Sequence, residues 1–280
     1  MSFTTSWWRV VLFVTAVASG LAQPSRKTGA GGLNADLVKT GLYVIYGGGC
    51  NTLLRLSGNG LIIVDSKLPG NYETLTRQIR RISEQPIRIL VPTGPGEQHT
   101  GNDAEFAKAG TAILAHENLV SVSNGKAALP TKTYDRELPI RLGGIEVELM
   151  HFGNARTNAD TVVYFPNLKV VAVGDLLSTA LDPDFSAGGS LIGWSAVLGQ
   201  VLKLDFDVVV PSTGSIATRA DLEAFKTKLD TLISRARDLV RKGTSTDRLL
   251  SEVKTDDLSW RLNLTKAQVE GFYGELSKAR

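Results

Sequence analysis

Apolar and polar positions fall into two patterns along the first half of the chain, and each pattern predicts a kind of element. Short β-type runs come first (GLYVIY, NTLLRL and LIIVDS), and Asn59-Gly60 stands where a tight hairpin turn needs positive φ. Next, Leu75, Ile79 and Ile82 recur at helical spacing, and a proline ends that helix before the apolar run IRILV. The first half therefore predicts a strand-helix-strand unit behind a hairpin.

The same mixture continues through the middle of the chain. The segment NDAEFAKAG predicts a short helix that is capped by Asn102 or Asp103 and closed by Gly110. Further β-type runs on both sides of Gly143-Gly144, and again on both sides of Pro166-Asn167, predict four more strands. The middle of the chain is therefore predicted to be rich in strands.

Helices dominate the last part of the sequence. Thr218 predicts the cap of a long amphipathic helix that stops at Gly243, and two shorter helices follow. The last of them begins at Thr265, which forms a capping box with Gln268. Two β-rich halves, each finished by helices, predict a layered α/β architecture in which sheets pack face to face with helices outside.

The N-terminal residues 1–22 differ from the rest and predict a secretory signal peptide. Arg9 precedes an apolar run, Val10–Ala18, that is too short to span a bilayer comfortably, and small residues follow it where a signal peptidase would read them. Residues 23–32 are small, polar and Gly-rich, and predict a flexible linker. We expect a periplasmic or secreted protein; the alternative is a membrane anchor formed by an uncleaved N-terminus.

Composition and charge narrow the classes of function. The 280 residues are 42% hydrophobic and 21% charged, which is ordinary for a globular protein. The net charge is only +3 and no basic stripe occurs, so we expect no nucleic-acid partner.

Cys50 is the sole cysteine, so no internal disulfide can form. Its sequence neighbours hold no histidine or cation to lower its pKa, which favours a structural role.

Five segments follow one another in an order that points to a family. They are NTLLRLSGNGLIIVDSKLPG, ILVPTGPGEQHTGND, HFGNARTNADTVVYFP, LKVVAVGDLL and FDVVVPSTGSIATRADLEAF. This order resembles the metallo-β-lactamase superfamily. The resemblance implies a four-layer αββα sandwich, with a metallo-β-lactamase-like domain over residues 33–243 and a C-terminal helical extension over 244–280. It also implies hydrolysis with zinc, which lowers the pKa of a bound water.

The metal-binding loop is where this sequence departs from the family. That loop normally reads His-x-His-x-Asp-His. Aligned on its last histidine, His99, this chain has Gly94 and Gly96 in place of the first two histidines and Gln98 in place of the aspartate. Glycine carries no ligand atom in a side chain, and we expect an irregular backbone here with no side chain reaching into the pocket.

Other ligand positions are also replaced. Arg156 and Thr213 stand where the resemblance implies histidines, whereas Asp175 stands at the metal-bridging aspartate. Asp65 is expected to support the metal loop through hydrogen bonds to its backbone, as the resemblance implies. We expect Arg156 to pair with Asp175 by bidentate hydrogen bonds, because a guanidinium relieves the cost of burying a carboxylate that has lost its metal.

Only His99 and Asp175 remain of the implied zinc ligands, fewer than the three or four protein ligands that are typical of zinc. We therefore expect no tightly bound cofactor. Weak zinc binding by His99 and Asp175, with waters or with Glu97 or Asp103, stays an alternative. The other histidines of the chain, His116 and His151, are expected to have structural roles.

Two functions of different class follow from these residues. The favoured hypothesis is an exported, non-hydrolytic pseudoenzyme that binds a small molecule or a protein partner in the old pocket. The alternative is a residual hydrolase of an ester, lactam, thioester or phosphoester, with one weakly bound metal at His99 and Asp175. The catalytic residues are left open, because fold alone does not define activity.

Overall fold

The computed structural model describes residues 32–123, 127–178, 181–258 and 264–278. The predicted signal peptide and nearly all of the predicted linker lie outside the described residues. Within those residues the strands are β1 (Asn34–Lys39), β2 (Leu42–Tyr46), β3 (Thr52–Ser57), β4 (Gly60–Val64), β5 (Ile87–Val91), β6 (Ala112–His116), β7 (Lys132–Tyr134), β8 (Glu137–Leu142), β9 (Ile145–Met150), β10 (Val162–Phe165), β11 (Val170–Gly174), β12 (Val208–Pro211) and β13 (Ala217–Thr218). The α-helices there are α1 (Tyr72–Arg80), α2 (Glu97–Thr100), α3 (Asp103–Lys108), α4 (Leu119–Val122), α5 (Leu191–Val201), α6 (Arg219–Arg241), α7 (Thr246–Glu252) and α8 (Lys266–Lys278).

The strands form two mixed sheets. The first has the order β1-β2-β3-β4-β5-β6-β7, antiparallel from β1 to β4 and parallel from β4 to β7. The second has the order β13-β12-β11-β10-β9-β8, in which only the β11–β12 pair is parallel. Each parallel pair brings the carboxyl ends of two strands to the same edge of its sheet.

The two sheets pack face to face through one apolar layer. The first sheet contributes Val44, Leu53 and Val64 to this layer, and the second contributes Leu149 and Val163. All five side chains are at most 2% exposed. Apolar side chains on both faces of the inner strands explain their near-continuous hydrophobic runs.

Helices cover the outer face of each sheet. On the first sheet, Leu75 and Ile79 of α1 and Phe106 of α3 pack against Ile63 and Leu90. On the second sheet, helices α5 to α8 share one cluster with β10, β11 and β12. The result is the predicted αββα sandwich. Among the described helices, none is both long and apolar enough to cross a membrane.

The two C-terminal helices belong to the outer layer over the second sheet. Leu249 of α7 and both Phe272 and Leu276 of α8 are buried in the same cluster as the long helix α6. Glu275 of α8 also accepts hydrogen bonds from the backbone N–H groups at the start of α5. The extension therefore holds the segment that leads into α5.

Several turns and caps agree with the sequence, and one is shifted. Gly143-Gly144 forms the two-residue turn between β8 and β9, and the side chains of Thr218 and Asp221 form a capping box on α6. The turn between β3 and β4 is Gly58-Asn59 rather than Asn59-Gly60, because Ser57 pairs with Gly60. Gly60 is needed for another reason: a Cβ there would lie 2.5 Å from Cγ of Arg88.

Candidate functional site

The candidate site lies where the carboxyl ends of the parallel strands of both sheets meet. Asp65 follows β4, and the loop that carries His99 follows β5. From the second sheet, Asp175 follows β11 and Ser212 follows β12. Strand ends place these side chains together although they are far apart in the sequence, and such edges commonly hold functional loops.

His99 is held between two carboxylates. Its Nδ1 lies 3.0 Å from Oδ2 of Asp65, and its Nε2 lies 3.1 Å from Oδ2 of Asp175. The His99 side chain is only 1% exposed. Carboxylate oxygens accept hydrogen bonds, so an imidazolium that donates from both nitrogens satisfies this arrangement.

The two carboxylates keep His99 protonated. Burial by itself lowers the pKa of His99, but the charges of Asp65 and Asp175 and the hydrogen bonds to them outweigh it, and the pKa is well above its ordinary value. Burial likewise raises the pKa of Asp175, but His99 and then Arg156 outweigh it and lower that pKa far below its ordinary value. At neutral pH the site therefore contains a buried ion pair.

Asp65 fixes the start of the loop that carries His99. Its Oδ1 accepts a hydrogen bond from the backbone N–H of Thr93 at 2.7 Å, and its Oδ2 accepts one from Oγ1 of Thr93 at 2.8 Å. The backbone of Asp65 has φ +65, a left-handed conformation that costs energy in a residue other than glycine. Both carboxylate oxygens thus serve to orient the loop.

Asp175 receives contacts from four side chains. Besides His99, Gln98 donates from Nε2 to Oδ2 at 3.3 Å, and Ser212 donates to Oδ1. A guanidinium nitrogen of Arg156 lies 3.5 Å from Oδ2. The carboxylate at the position of the family's bridging aspartate is therefore surrounded by donors from this chain.

The predicted ion pair between Arg156 and Asp175 is present, but its predicted bidentate geometry is wrong. Arg156 directs two nitrogens, Nε and Nη2, to Asp182, at 3.5 and 3.0 Å, and its third nitrogen, Nη1, lies near Asp175. Asp182 lies on the segment before α5 and approaches the guanidinium from the solvent side, where it is 45% exposed. Arg156 thus bridges Asp175 and Asp182.

The two glycines of the degraded loop face the site. A Cβ on Gly94 would lie 3.4 Å from the imidazole of His99. A Cβ on Gly96 would lie 2.5 Å from the side-chain amide of Gln98, which therefore occupies the space that a side chain at Gly96 would need. The expectation that no side chain of this loop reaches the pocket is wrong for Gln98, because its amide turns inward to Asp175.

The segment that follows β12 contributes a different residue from the one aligned with the family. Thr213 is exposed, whereas the preceding Ser212 is buried and contacts Asp175. The sequence alignment did not indicate Ser212, because it places the family's histidine at the next residue, Thr213.

Cys50 and Lys67 are site residues that the sequence did not reveal. Cys50 is fully buried, and its thiol donates to the main-chain O of Gln98 at 2.6 Å. Burial, followed by the charge of Asp65, raises the pKa of this thiol. The sequence signal was missing because the charged neighbours of Cys50 come from other segments.

Lys67 holds the glycine-rich turn that precedes Cys50. It is fully buried, and its Nζ donates to the carbonyl oxygens of Ile45, Gly47 and Cys50 at 2.8, 2.7 and 2.8 Å. Burial lowers its pKa to about 8. All three ammonium hydrogens have an acceptor, so Lys67 serves as an internal clamp for this turn.

The remaining acids and histidines lie around the site rather than in it. Asp103 is buried and accepts a hydrogen bond from Ser66 at 2.6 Å, and burial raises its pKa to about 7. His116 and His151 stack on each other with ring centroids 3.9 Å apart. His151 bonds through Nδ1 to the main-chain O of Asp160 at 2.9 Å. These two histidines therefore form a pair of their own.

The residues present do not fit the two zinc sites that the family implies. Gly94 and Gly96 offer no side-chain ligand, and Arg156 places a permanent cation at a ligand position. Both nitrogens of His99 are engaged with the carboxylates of Asp65 and Asp175. The charges that a metal would balance are balanced here by protein groups.

Comparison with known proteins gives relatives of low sequence identity. The chain is 27% identical over 226 residues to the 2,4-dinitroanisole O-demethylase subunit alpha of Nocardioides sp. (strain JS1661), covering 77% of this chain and 68% of that protein. No family model matches the chain.

Two solved structures define the fold. The metallo-β-lactamase from Pontibacter korlensis superposes with a TM-score of 0.64 and 20% identity, over 71% of this chain and 99% of that one. The stereoselective inverting sec-alkylsulfatase Pisa1 from Pseudomonas sp. superposes with a TM-score of 0.72 and 15% identity, over 87% of this chain but 50% of that one.

The chain has the fold of the metallo-β-lactamase superfamily, and the resemblance seen in its sequence is confirmed.

Proposed function

We propose that this chain is a non-hydrolytic binding protein built on the metallo-β-lactamase fold. The observation that carries the proposal is the position of His99, whose ring nitrogens lie 3.0 and 3.1 Å from the carboxylates of Asp65 and Asp175. A chain of ion pairs thereby takes the place of the family's zinc ligands. The scaffold is retained, whereas the zinc chemistry of the family is not supported by its residues.

The protonation states of the site argue against hydrolysis by side chains alone. His99 is held as an imidazolium, so it has no basic nitrogen to accept a proton from water. Asp175 has a strongly lowered pKa and is a weak base, and the thiol of Cys50 has a raised pKa and is a poor nucleophile. General-base and nucleophilic mechanisms both need the opposite shifts.

The accessible part of this network is the surface that a ligand would meet. The side chain of Arg156 is 20% exposed and that of Asp182 is 45% exposed, whereas that of His99 is buried. A planar guanidinium next to a carboxylate suits a small polar molecule, or a loop of a partner protein, that offers both an acceptor and a donor. We therefore place ligand recognition at Arg156 and Asp182.

A hydrolysis assay tests the proposal directly. The full chain and the variant His99→Gln are assayed on a lactam, an ester, a thioester and a phosphoester, with and without added zinc. We expect turnover by the wild-type chain no faster than turnover by the variant. Turnover above the variant's on any of these substrates would overturn the proposal and favour a residual hydrolase.

The residual hydrolase is the second candidate, and one observation favours it. The relative with 27% identity is, by its name, a subunit of an O-demethylase. A protein with this level of similarity to the chain is therefore part of an enzyme. For this chain an activity would have to arise from His99, Asp175 and a bound metal. The same assay separates the two candidates, because only the hydrolase loses a measured activity in His99→Gln.

Export is part of the proposal and rests on the N-terminal sequence alone. An apolar run of signal-peptide length, Val10–Ala18, follows Arg9. Cell fractionation followed by N-terminal sequencing tests export: we expect a mature chain outside the cytoplasm that starts near residue 23. An intact N-terminus in the membrane fraction would favour the anchor instead.

A further inference from the structure

Three potential metal ligands of different chemistry lie close together in the structure. Two of them belong to the ion-pair network, and the third is a cysteine. The ligand atoms of Cys50, Asp65 and His99 all lie within 4.8 Å of one another. All three residues are at most 2% exposed. They come from three separate segments, so only the fold brings them together.

We propose that Cys50, Asp65 and His99 form a closed binding site for one divalent cation of the zinc type. Thiolate, imidazole and carboxylate are the ligands that zinc prefers in proteins. The main-chain O of Gln98, which lies 2.6 Å from the thiol, accepts its hydrogen bond in the absence of a metal. The deep burial of all three side chains shields the site from bulk water, unlike catalytic zinc sites, which keep a position open for water.

The charge balance of the buried cluster allows this exchange. Metal binding requires a thiolate and a neutral imidazole, so the cation displaces one proton from Cys50 and one from His99. Two protons leave and one divalent cation enters, and the net charge of the cluster stays the same. The exchange therefore avoids the cost of adding uncompensated charge to a buried site.

This site differs from the positions that the family uses. Cys50 lies on the turn before β3, outside the metal loop, and Asp65 is expected from the family only to support that loop. The ion pair between Asp175 and Arg156 is left intact, because neither side chain is needed as a ligand. Asp175 therefore distinguishes this site from a residual family site at His99 and Asp175.

The inference rests on the proposed function, because a closed site binds a metal without activating water. Cobalt(II) reports on the site, since a thiolate ligand gives cobalt an intense charge-transfer absorption in the near ultraviolet. We expect the full chain to bind one equivalent of cobalt with this absorption, to release two protons per cobalt, and to lose the absorption when zinc is added.

Two conservative variants decide which residues bind the metal. Cys50→Ser should abolish the charge-transfer absorption while circular dichroism shows a folded chain, and Asp175→Asn should keep it. No absorption with excess cobalt after long incubation would overturn the inference. An absorption that survives in Cys50→Ser, or that is lost only in Asp175→Asn, would overturn it as well.

The cobalt experiment tests the metal site and the hydrolysis assay tests the proposed function, so either proposal can be overturned without the other. Cobalt binding at Cys50 without turnover supports both the metal site and the non-hydrolytic function. Absence of cobalt binding removes the metal site and leaves the proposed function standing. Turnover that depends on His99 removes the proposed function, whichever residues bind cobalt.

Discussion

His99 donates from Nε2 to Oδ2 of Asp175 across 3.1 Å, and this contact joins the two sheets at their functional edge. His99 lies in α2, directly after the first sheet's β5, whereas Asp175 follows β11 of the second sheet. The resemblance to the family implies a metal at this junction. Here the junction is made by an ion pair, and its energetics can be measured.

Replacing His99 by Gln should destabilise the fold strongly. The change leaves Asp65 and Asp175 buried without their shared cation, which costs roughly 3–5 kcal/mol for a broken buried pair. The double variant with Asp175→Asn should lose less than the two single losses combined, because one of the two orphaned charges is gone. Urea unfolding of the four proteins gives this coupling, and additive losses would contradict it.

Replacing Arg156 by Ala should have a smaller effect. Its contact with Asp175 spans 3.5 Å, and its stronger partner Asp182 is about half exposed, so solvent screens part of the interaction. We expect a loss of about 1–2 kcal/mol in urea unfolding. Arg141→Ala, which breaks an exposed pair with Glu146, is the matched control and should cost less than about 0.5 kcal/mol. Equal effects of the two variants would refute a role for Arg156 in the network.

Replacing Lys67 by Met should lower the free energy of unfolding, because Lys67 clamps the glycine-rich turn. Methionine fills similar space but leaves three carbonyl oxygens without their donor, and one unsatisfied buried group already costs about 1–3 kcal/mol. We expect a loss of at least about 3 kcal/mol in thermal or urea unfolding. Lys169→Met removes a half-exposed lysine and serves as the control, with little change expected. A Lys67→Met protein as stable as the control would disprove the clamp.

Acid should destabilise the protein through His116. Burial, and then the nearby His151, lower the pKa of His116 to about 4, against the opposing effect of Asp135. A lowered pKa means that this group contributes stability above its unfolded pKa, near 6.5, and that the contribution is lost as the pH falls towards 4. The expected loss over this window is roughly 3 kcal/mol.

The variant His116→Gln should remove that part of the pH dependence. Its unfolding free energy, measured from pH 7 to pH 4, should fall less steeply than that of the wild-type chain. His151→Gln should flatten the curve in part, because it removes the stacked neighbour that lowers the pKa of His116. Parallel curves for the wild type and His116→Gln would contradict the assignment.

The C-terminal helix should stabilise the start of α5 through Glu275. Its Oε2 accepts hydrogen bonds from the backbone N–H groups of Leu191 and Ile192 at 3.1 and 3.5 Å. Glu275→Ala should cost about 1 kcal/mol, as loss of a helix cap does, and should speed amide exchange at both positions. Glu275→Gln, which keeps an acceptor oxygen, should fall between Ala and the wild type. Unchanged exchange in Glu275→Ala would refute the cap.

Local sequence signals predicted much of the fold. The capping boxes at Thr218 and Thr265, the turn at Gly143-Gly144 and the hydrophobic runs of the inner strands all appear in the structure. Each depends on residues close together in the chain, so the physics that fixes it is already present in a short segment. The short helices α2 and α4 and the short strands β7 and β13 were not predicted, because so few residues give no clear period.

The sequence by itself indicated most of the longer elements and, through its resemblance to a known family, the αββα fold. It also showed the loss of the family's ligands, since a missing histidine is visible in the letters. Only the tertiary structure decided what replaced them. Burial and charge depend on neighbours from distant segments: it took the fold to place His99 between Asp65 and Asp175, to turn Arg156 towards Asp182, and to bring Cys50 beside this network. Electrostatic interaction depends on distance in space rather than in sequence. For that reason some residues of the site could be identified from the sequence, but their charge states could not.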